Sequence, residues 1–417
     1  MTAQPVAGPA VPDHPDPERR PATAAQLHWL EQEVEQWRVD GLVDEPTAAA
    51  IRGRYVVRHR VTLARIVLTL GAIFVGLGLI WLVAANLDQM SPLTRFLLMV
   101  VVWVGLVVAA EALARRRERT GTVPAPVLGA VRLLAAAAFG AVVFQGAQSL
   151  QVSTYGPALV GAWAAGALVY AYAVRGVMPL VLGIALSAYW YGWVVLDAEE
   201  SMLAVATAVA VAGVVAVGIG VLHAVPRWST PERVLFGTPW REIGAALVLV
   251  ALFAAALPSD DGENGAGPVV LWVGLAVAVV VAAAALVAGD RTDRLEAGLA
   301  VVALAVGVGL SQWRLEGGDL DDLTVGEWTR AFVAVAAYLL IASGYAVLGG
   351  MRDSARMTWA ATAALVVFTT IQALAVFSEI LSGAALFLLV GVVLLGTGVL
   401  ADRGRRRLVR EGREAAS

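Results

Sequence analysis

Cysteine is absent from the 417-residue chain, which excludes disulfides, thiolate metal centres and cysteine nucleophiles. Lysine is absent too: all 30 basic residues are arginine. With so much Ala, Val and Gly, that bias implies GC-rich coding and a bacterial source. Charge is scarce at 15%, against 59% hydrophobic residues and a mean hydropathy of +0.75. A soluble domain does not have this balance. Walker, Rossmann, zinc and serine-hydrolase motifs are missing. The expectation is a protein without cofactor, metal, catalytic residues or nucleic-acid partner.

What the chain has in quantity is long apolar runs. Ile66 to Ala85 carries no charge, and at ~1.5 Å per residue it is long enough to cross a ~30 Å hydrocarbon core. Arg58, Arg60 and Arg65 precede it, and Asn86 and Asp88 close it. No short apolar region with a cleavage site comes before, so this run is expected to act as an uncleaved signal anchor. Similar runs follow near 95–114, 130–150, 157–174, 178–196, 202–223, 240–257, 268–288, 295–313, 329–348, 357–377 and 380–400. The expected fold is all-α: a polytopic bundle of about 12 transmembrane helices.

The connections sort by charge. With the N-terminus in the cytoplasm, inner loops hold Arg115–Arg117 and Arg119, then Arg175, Arg227 and Arg233, Arg291 and Arg294, and Arg352 and Arg356. Outer loops hold Asp197, Glu199, Glu200, Asp260, Asp261 and the acidic stretch Glu316–Asp322. Only Arg95, Arg314 and Arg330 fall on the wrong side. This asymmetry predicts a bacterial cytoplasmic membrane protein with both termini inside. Inner arginine clusters and the basic tail 401–417 would then meet anionic lipid. Trp81, Trp163, Trp240, Trp272, Trp313 and Trp328 stand near run ends, as an interfacial aromatic belt requires. The group Tyr189, Trp190, Tyr191 and Trp193 fits either such a belt or an aromatic ligand box. Gly213, Gly218 and Gly220, like Gly71, Gly76 and Gly78, are spaced for close helix contact.

Ahead of the first run, residues 1–22 are proline-rich and read as a disordered tail. Leu27, Leu30, Val34 and Trp37 then recur at helical spacing, with Gly41 placed as a C-cap. Asp44 and Pro46 open a second helix whose stripe is Ala50, Ile51 and Tyr55. Residues 23–60 are thus expected to be a cytoplasmic helical hairpin, before the bundle at 61–400. Its helices either pack on one another or dock a partner or the bilayer.

Ala84, Ala85, Asn86 and Asp88 at the end of the first run, and the Gly/Ala-rich third run from Gly140 to Gln148, carry a resemblance. Together with the helical segment Leu27–Tyr55 they resemble bacterial membrane proteins grouped as domain of unknown function 2157, over roughly residues 25–175. Leu87 and Leu150 stand where that family often has aromatics. The resemblance implies a membrane protein and no particular activity.

Polar residues within the runs are few. Glu111 is spaced to pair with Arg115, and Arg132 to reach the inner headgroups. His223 reads as a boundary histidine. Asn86, Asp88, Gln145 and Gln148 gather towards the outer side, with both glutamines on one helix face. They suit either amide bonds between helices or a ligand-binding vestibule open outwards. The acidic stretch lacks EF-hand spacing, and the tail's Gly398–Arg403 matches a transporter loop motif only out of place. A largely uncharged interior and a separate hairpin favour a non-enzymatic scaffold, sensor or partner subunit, with the partner docking through residues 23–60. A transporter or flippase for an apolar or lipid-like substrate is the alternative, with six runs on each side of the long connection Ala224–Trp240.

Overall fold

The computed structural model describes residues 20–22, 24–57, 91–152, 155–199, 201–225, 231–257, 267–313 and 325–377. The runs near 64–86 and 380–400, Asn86, Asp88, the acidic stretch and the basic tail lie outside these residues. The chain divides into two compact units, residues 1–90 and 91–417.

In the first unit, α1 (Ala24–Val39) and α2 (Glu45–Gly53) form the hairpin. Gly41 turns the chain at a positive φ of 72°, a conformation with little cost only for glycine. Asp44 caps α2 by accepting the Thr47 N–H at 3.0 Å. Val34 and Ala48 are fully buried. The stripe on α2 therefore runs through Ala48 and Ile51, whereas Ala50 is exposed and Tyr55 lies beyond the helix end. Tyr55 belongs instead to β2 (Tyr55–Val57), which pairs in parallel with β1 (Arg20–Ala22), Pro21 opposite Val56. Residues 20–22 are thus strand and not tail.

The second unit is a bundle of ten helices among the described residues: α3 (Pro92–Thr120), α4 (Ala125–Ser149), α5 (Pro157–Ala173), α6 (Val177–Ala198), α7 (Met202–Ala224), α8 (Pro231–Ala256), α9 (Val269–Ala288), α10 (Arg291–Gln312), α11 (Val325–Met351) and α12 (Ala355–Phe377). Eight of them are long and apolar enough to cross a membrane. Helices satisfy their own backbone groups, as a spanning segment must. The protein is an all-α, multi-pass integral membrane protein.

Local chemistry sets the helix ends. Ser91 accepts the Thr94 N–H and Pro92 fills the first turn of α3, which ends on Gly121 at φ 65°. Asp290 and Asp293 form a reciprocal capping box that opens α10. One boundary departs from expectation: α8 begins at Pro231 and continues through Pro239. Proline there removes one backbone donor, but buried Phe236 and Trp240 hold the turn on either side of it. The long connection that would split the bundle six and six is therefore mostly helix. Trp240 is buried and not part of a belt, whereas Trp272 is exposed. Of the aromatic group on α6, Tyr189 and Trp190 are exposed, and Tyr191 turns inward to donate to the Val270 carbonyl at 3.2 Å.

The centre of the bundle is the contact of α7 with α8. A Cβ on Gly213 would lie 2.9 Å from the Gly244 carbonyl, and one on Gly220 2.9 Å from the Gly237 carbonyl. The converse holds for Gly244 and Gly237, so the two backbones touch at two levels. Around this pair, Val211, Val214, Val217 and Leu252 pack towards α11 and α12, where Tyr338 stacks on Phe368. Val101 and Val108 of α3 and Val279 and Val280 of α9 point outward, as suits contact with lipid.

Candidate functional site

The bundle interior is not largely uncharged. Arg241, Asp293, Glu296 and Arg330 are all buried, and three of them converge in one cluster. Arg241 stands on α8, Asp293 and Glu296 one turn apart on α10, and Arg352 just past α11. Arg241 Nη1 lies 2.9 Å from Asp293 Oδ1 and 3.4 Å from Glu296 Oε2. Arg352 Nη2 lies 2.6 Å from Asp293 Oδ1 and 2.9 Å from Glu296 Oε2. Two guanidinium groups thus share two carboxylates, and the formal charges cancel. At the edge, Glu242 accepts from Ser354 Oγ at 2.9 Å and pairs with exposed Arg356 at 3.2 Å. The network ties α8, α10, α11 and α12 together at the end carrying the arginine-rich connections.

The two acids are not equivalent. Asp293 takes the shorter contact from each arginine, and its second oxygen accepts the Asp290 N–H at 3.3 Å. Glu296 has no solvent exposure, and its Oε1 has no hydrogen-bond partner among the described residues. Arg241 Nη2, Arg352 Nε and the hydroxyl of fully buried Tyr345 are likewise unpartnered there. Ionisable groups inside a membrane bundle are costly and mark function by default.

A smaller site of the same composition lies between α3, α4 and α5. Glu111 accepts both Arg132 Nε and Nη2 at 3.0 Å, and the buried Tyr170 hydroxyl beside them is unpartnered. Glu111 therefore pairs with Arg132 and not with Arg115, and Arg132 does not reach for headgroups. A planar guanidinium matches a carboxylate at two points, which a flexible pair along one helix seldom does.

His223 is more than a boundary residue. Its Nδ1–H donates to the Ile219 carbonyl at 2.8 Å, which leaves Nε2 to accept from the Tyr172 hydroxyl at 3.0 Å. Trp240 Nε1 donates to the same hydroxyl at 3.0 Å, joining α5, α7 and α8. At the opposite end of the bundle Arg330 donates to the carbonyls of Leu310, Ala255 and Leu257 at 3.4, 3.2 and 3.4 Å. It caps two helix C-termini, where a cation is favoured. Arg330 breaks the loop-charge pattern because it is a buried cap, not a loop residue.

The amides read from the sequence are placed less tightly. Gln145 is half-buried and Gln148 exposed, near the end of α4. Their companions Asn86 and Asp88 lie outside the described residues.

Residues 35–180 match the family described as predicted membrane protein (DUF2157). That stretch runs from α1 into α6 and includes the Glu111–Arg132 pair. Arg241, Asp293, Glu296 and Arg352 lie beyond it. No curated protein and no solved structure matches the chain.

Proposed function

We propose that the protein is a non-enzymatic scaffold, sensor or partner subunit of a bacterial cytoplasmic membrane, with both termini in the cytoplasm. The observation that carries this reading is the surface of the N-terminal unit. Trp29, Val39 and Leu42 are exposed on a helix pair that fully buries only Val34 and Ala48 among its described side chains. Apolar surface left over on so small a unit suits a protein partner docking through residues 23–60. The bundle serves as its anchor, and exposed Arg115, Arg116 and Arg119 at the end of α3 attract anionic headgroups. Affinity purification in mild detergent tests this. A stoichiometric partner should co-purify with the full chain and be lost when residues 23–60 are deleted while the bundle still inserts. An unchanged set of co-purifying proteins would overturn the reading.

A second reading, a transporter or flippase for an apolar or lipid-like substrate, draws support from the buried Arg241–Glu296 cluster. Ionisable groups within spans accompany substrate and ion pathways. A bound lipid or small molecule in the same eluate, with no protein partner, would put this reading first.

A further inference from the structure

We propose that Glu296 is a proton-binding site, and that its occupancy sets how firmly α10 is held to α8 and to the end of α11. The proposal stands apart from the docking reading.

Ionisable groups face Glu296 from its own helix, from α8 and from the end of α11. From its own helix come Asp293 and, at the cap, Asp290; Arg294 instead donates to the Gly289 carbonyl at 3.0 Å. Helix α8 offers Arg241, since Glu242 is engaged by Ser354 and Arg356. The end of α11 offers Arg352, and fully buried Tyr345 stands two turns earlier on that helix. Helix α9 contains no ionisable residue, and the one on α7, His223, is bonded to Tyr172.

Within that set the carboxylate that accepts a proton is identified by geometry. Asp293 has the shorter contact with each arginine and a backbone donor on its other oxygen. Glu296 has both of its arginine contacts on Oε2 and a bare Oε1 in a site without solvent exposure. A buried carboxylate oxygen lacking a donor is expensive, and a proton on Oε1 removes the charge that makes it so. The proton comes from water past Arg352, the one member of the four-residue cluster that is appreciably exposed, at 21% of its side chain. One O–H bond forms on Oε1 as one O–H bond of a hydronium ion breaks, leaving water. The cluster then carries one net positive charge, and Asp293 alone pairs with both arginines. The tie from α10 to Arg241 and Arg352 is correspondingly weaker.

Infrared difference spectroscopy tests this on the full chain in lipid nanodiscs, between alkaline and acidic buffer. A protonated-carboxyl stretching band at the higher frequency of a carboxyl shielded from water, resolved from the band of the solvated glutamates, should appear on acidification, shift when the glutamates are carbon-13 labelled, and be lost in Glu296→Gln. Labelling needs no substitution, so the assignment to glutamate survives even if a variant misfolds. Hydrogen-exchange protection of residues 349–356, taken relative to the intrinsic amide rate at each pH, should fall on acidification in the wild type. In Glu296→Gln that protection should be low at both pH values. Absence of this shielded glutamate band, or its persistence unchanged in Glu296→Gln, would overturn the proposal. Loss of a cytosolic partner would not bear on it.

Discussion

Arg352 donates to Asp293 Oδ1 at 2.6 Å and thereby fastens the connection between α11 and α12 to the first turn of α10. Replacing Arg352 by Met leaves two buried carboxylates to share Arg241. Breaking a buried ion pair from one side costs about 3–5 kcal/mol. Thermal unfolding of the purified protein in detergent should show a loss of that size. Combining Arg352→Met with Glu296→Gln should cost less than the two single losses added, because each change removes part of the charge the other leaves uncompensated.

The seam between α7 and α8 gives a steric prediction. A Cβ on Gly244 would lie 2.7 Å from the Val217 backbone nitrogen and 2.9 Å from the Gly213 carbonyl. Neither is a flexible side-chain end that can swing aside. Gly244→Ala should therefore destabilise the bundle by about 1–3 kcal/mol. Gly105 has nothing within 4 Å of the same position, so Gly105→Ala should leave the unfolding midpoint unchanged or slightly raised.

Arg330 separates two roles that arginines play in such a chain. Arg330→Met leaves the carbonyls of Leu310, Ala255 and Leu257 without this donor and should cost about 1–3 kcal/mol. It should not alter the orientation of insertion, since the residue is buried rather than part of a loop. A cysteine replacing Tyr155 should react with an impermeant thiol reagent in intact cells, and one replacing Thr122 should not. Reversed labelling would invert the proposed orientation.

The N-terminal hairpin has a pH dependence with a definite sign. Hydrogen bonds from the Thr47 side chain and backbone hold the Asp44 carboxyl below its ordinary value. A depressed folded value means the capping contribution is complete above the ordinary carboxylate range and is lost as pH falls through the depressed one. Protection of the Thr47 amide, taken relative to its intrinsic exchange rate at each pH, should fall over that acidic window. In Asp44→Ala that protection should be low at every pH.

The helical bundle was legible because its signals are local. Ser91–Pro92, Gly121 and the apolar runs between them act within a few residues of where they stand. Gly213 and Gly220 were legible for the same reason, as a spacing on one helix. Glu296 was not. Next to Arg291, Asp293 and Arg294 it looks like the polar opening of a helix, and only the return of Arg352 and Arg241 to that turn makes it a buried site. Arg132 was misread on similar grounds, because its partner Glu111 lies 21 residues away on another helix. Strands β1 and β2 escaped notice because three residues hold no periodicity and a parallel partner lies far along the chain.

The paired glycines of α7 and α8 have a mechanical consequence. Backbone touches backbone at two levels, Gly213 on Gly244 and Gly220 on Gly237, seven residues apart on both helices. Sliding either helix by one residue would drive a side chain into the facing main chain at both levels at once. The two helices therefore travel as one rigid strut. Any rearrangement of the bundle must take place around that strut, through helices such as α10 and α11 that reach it with their own side chains.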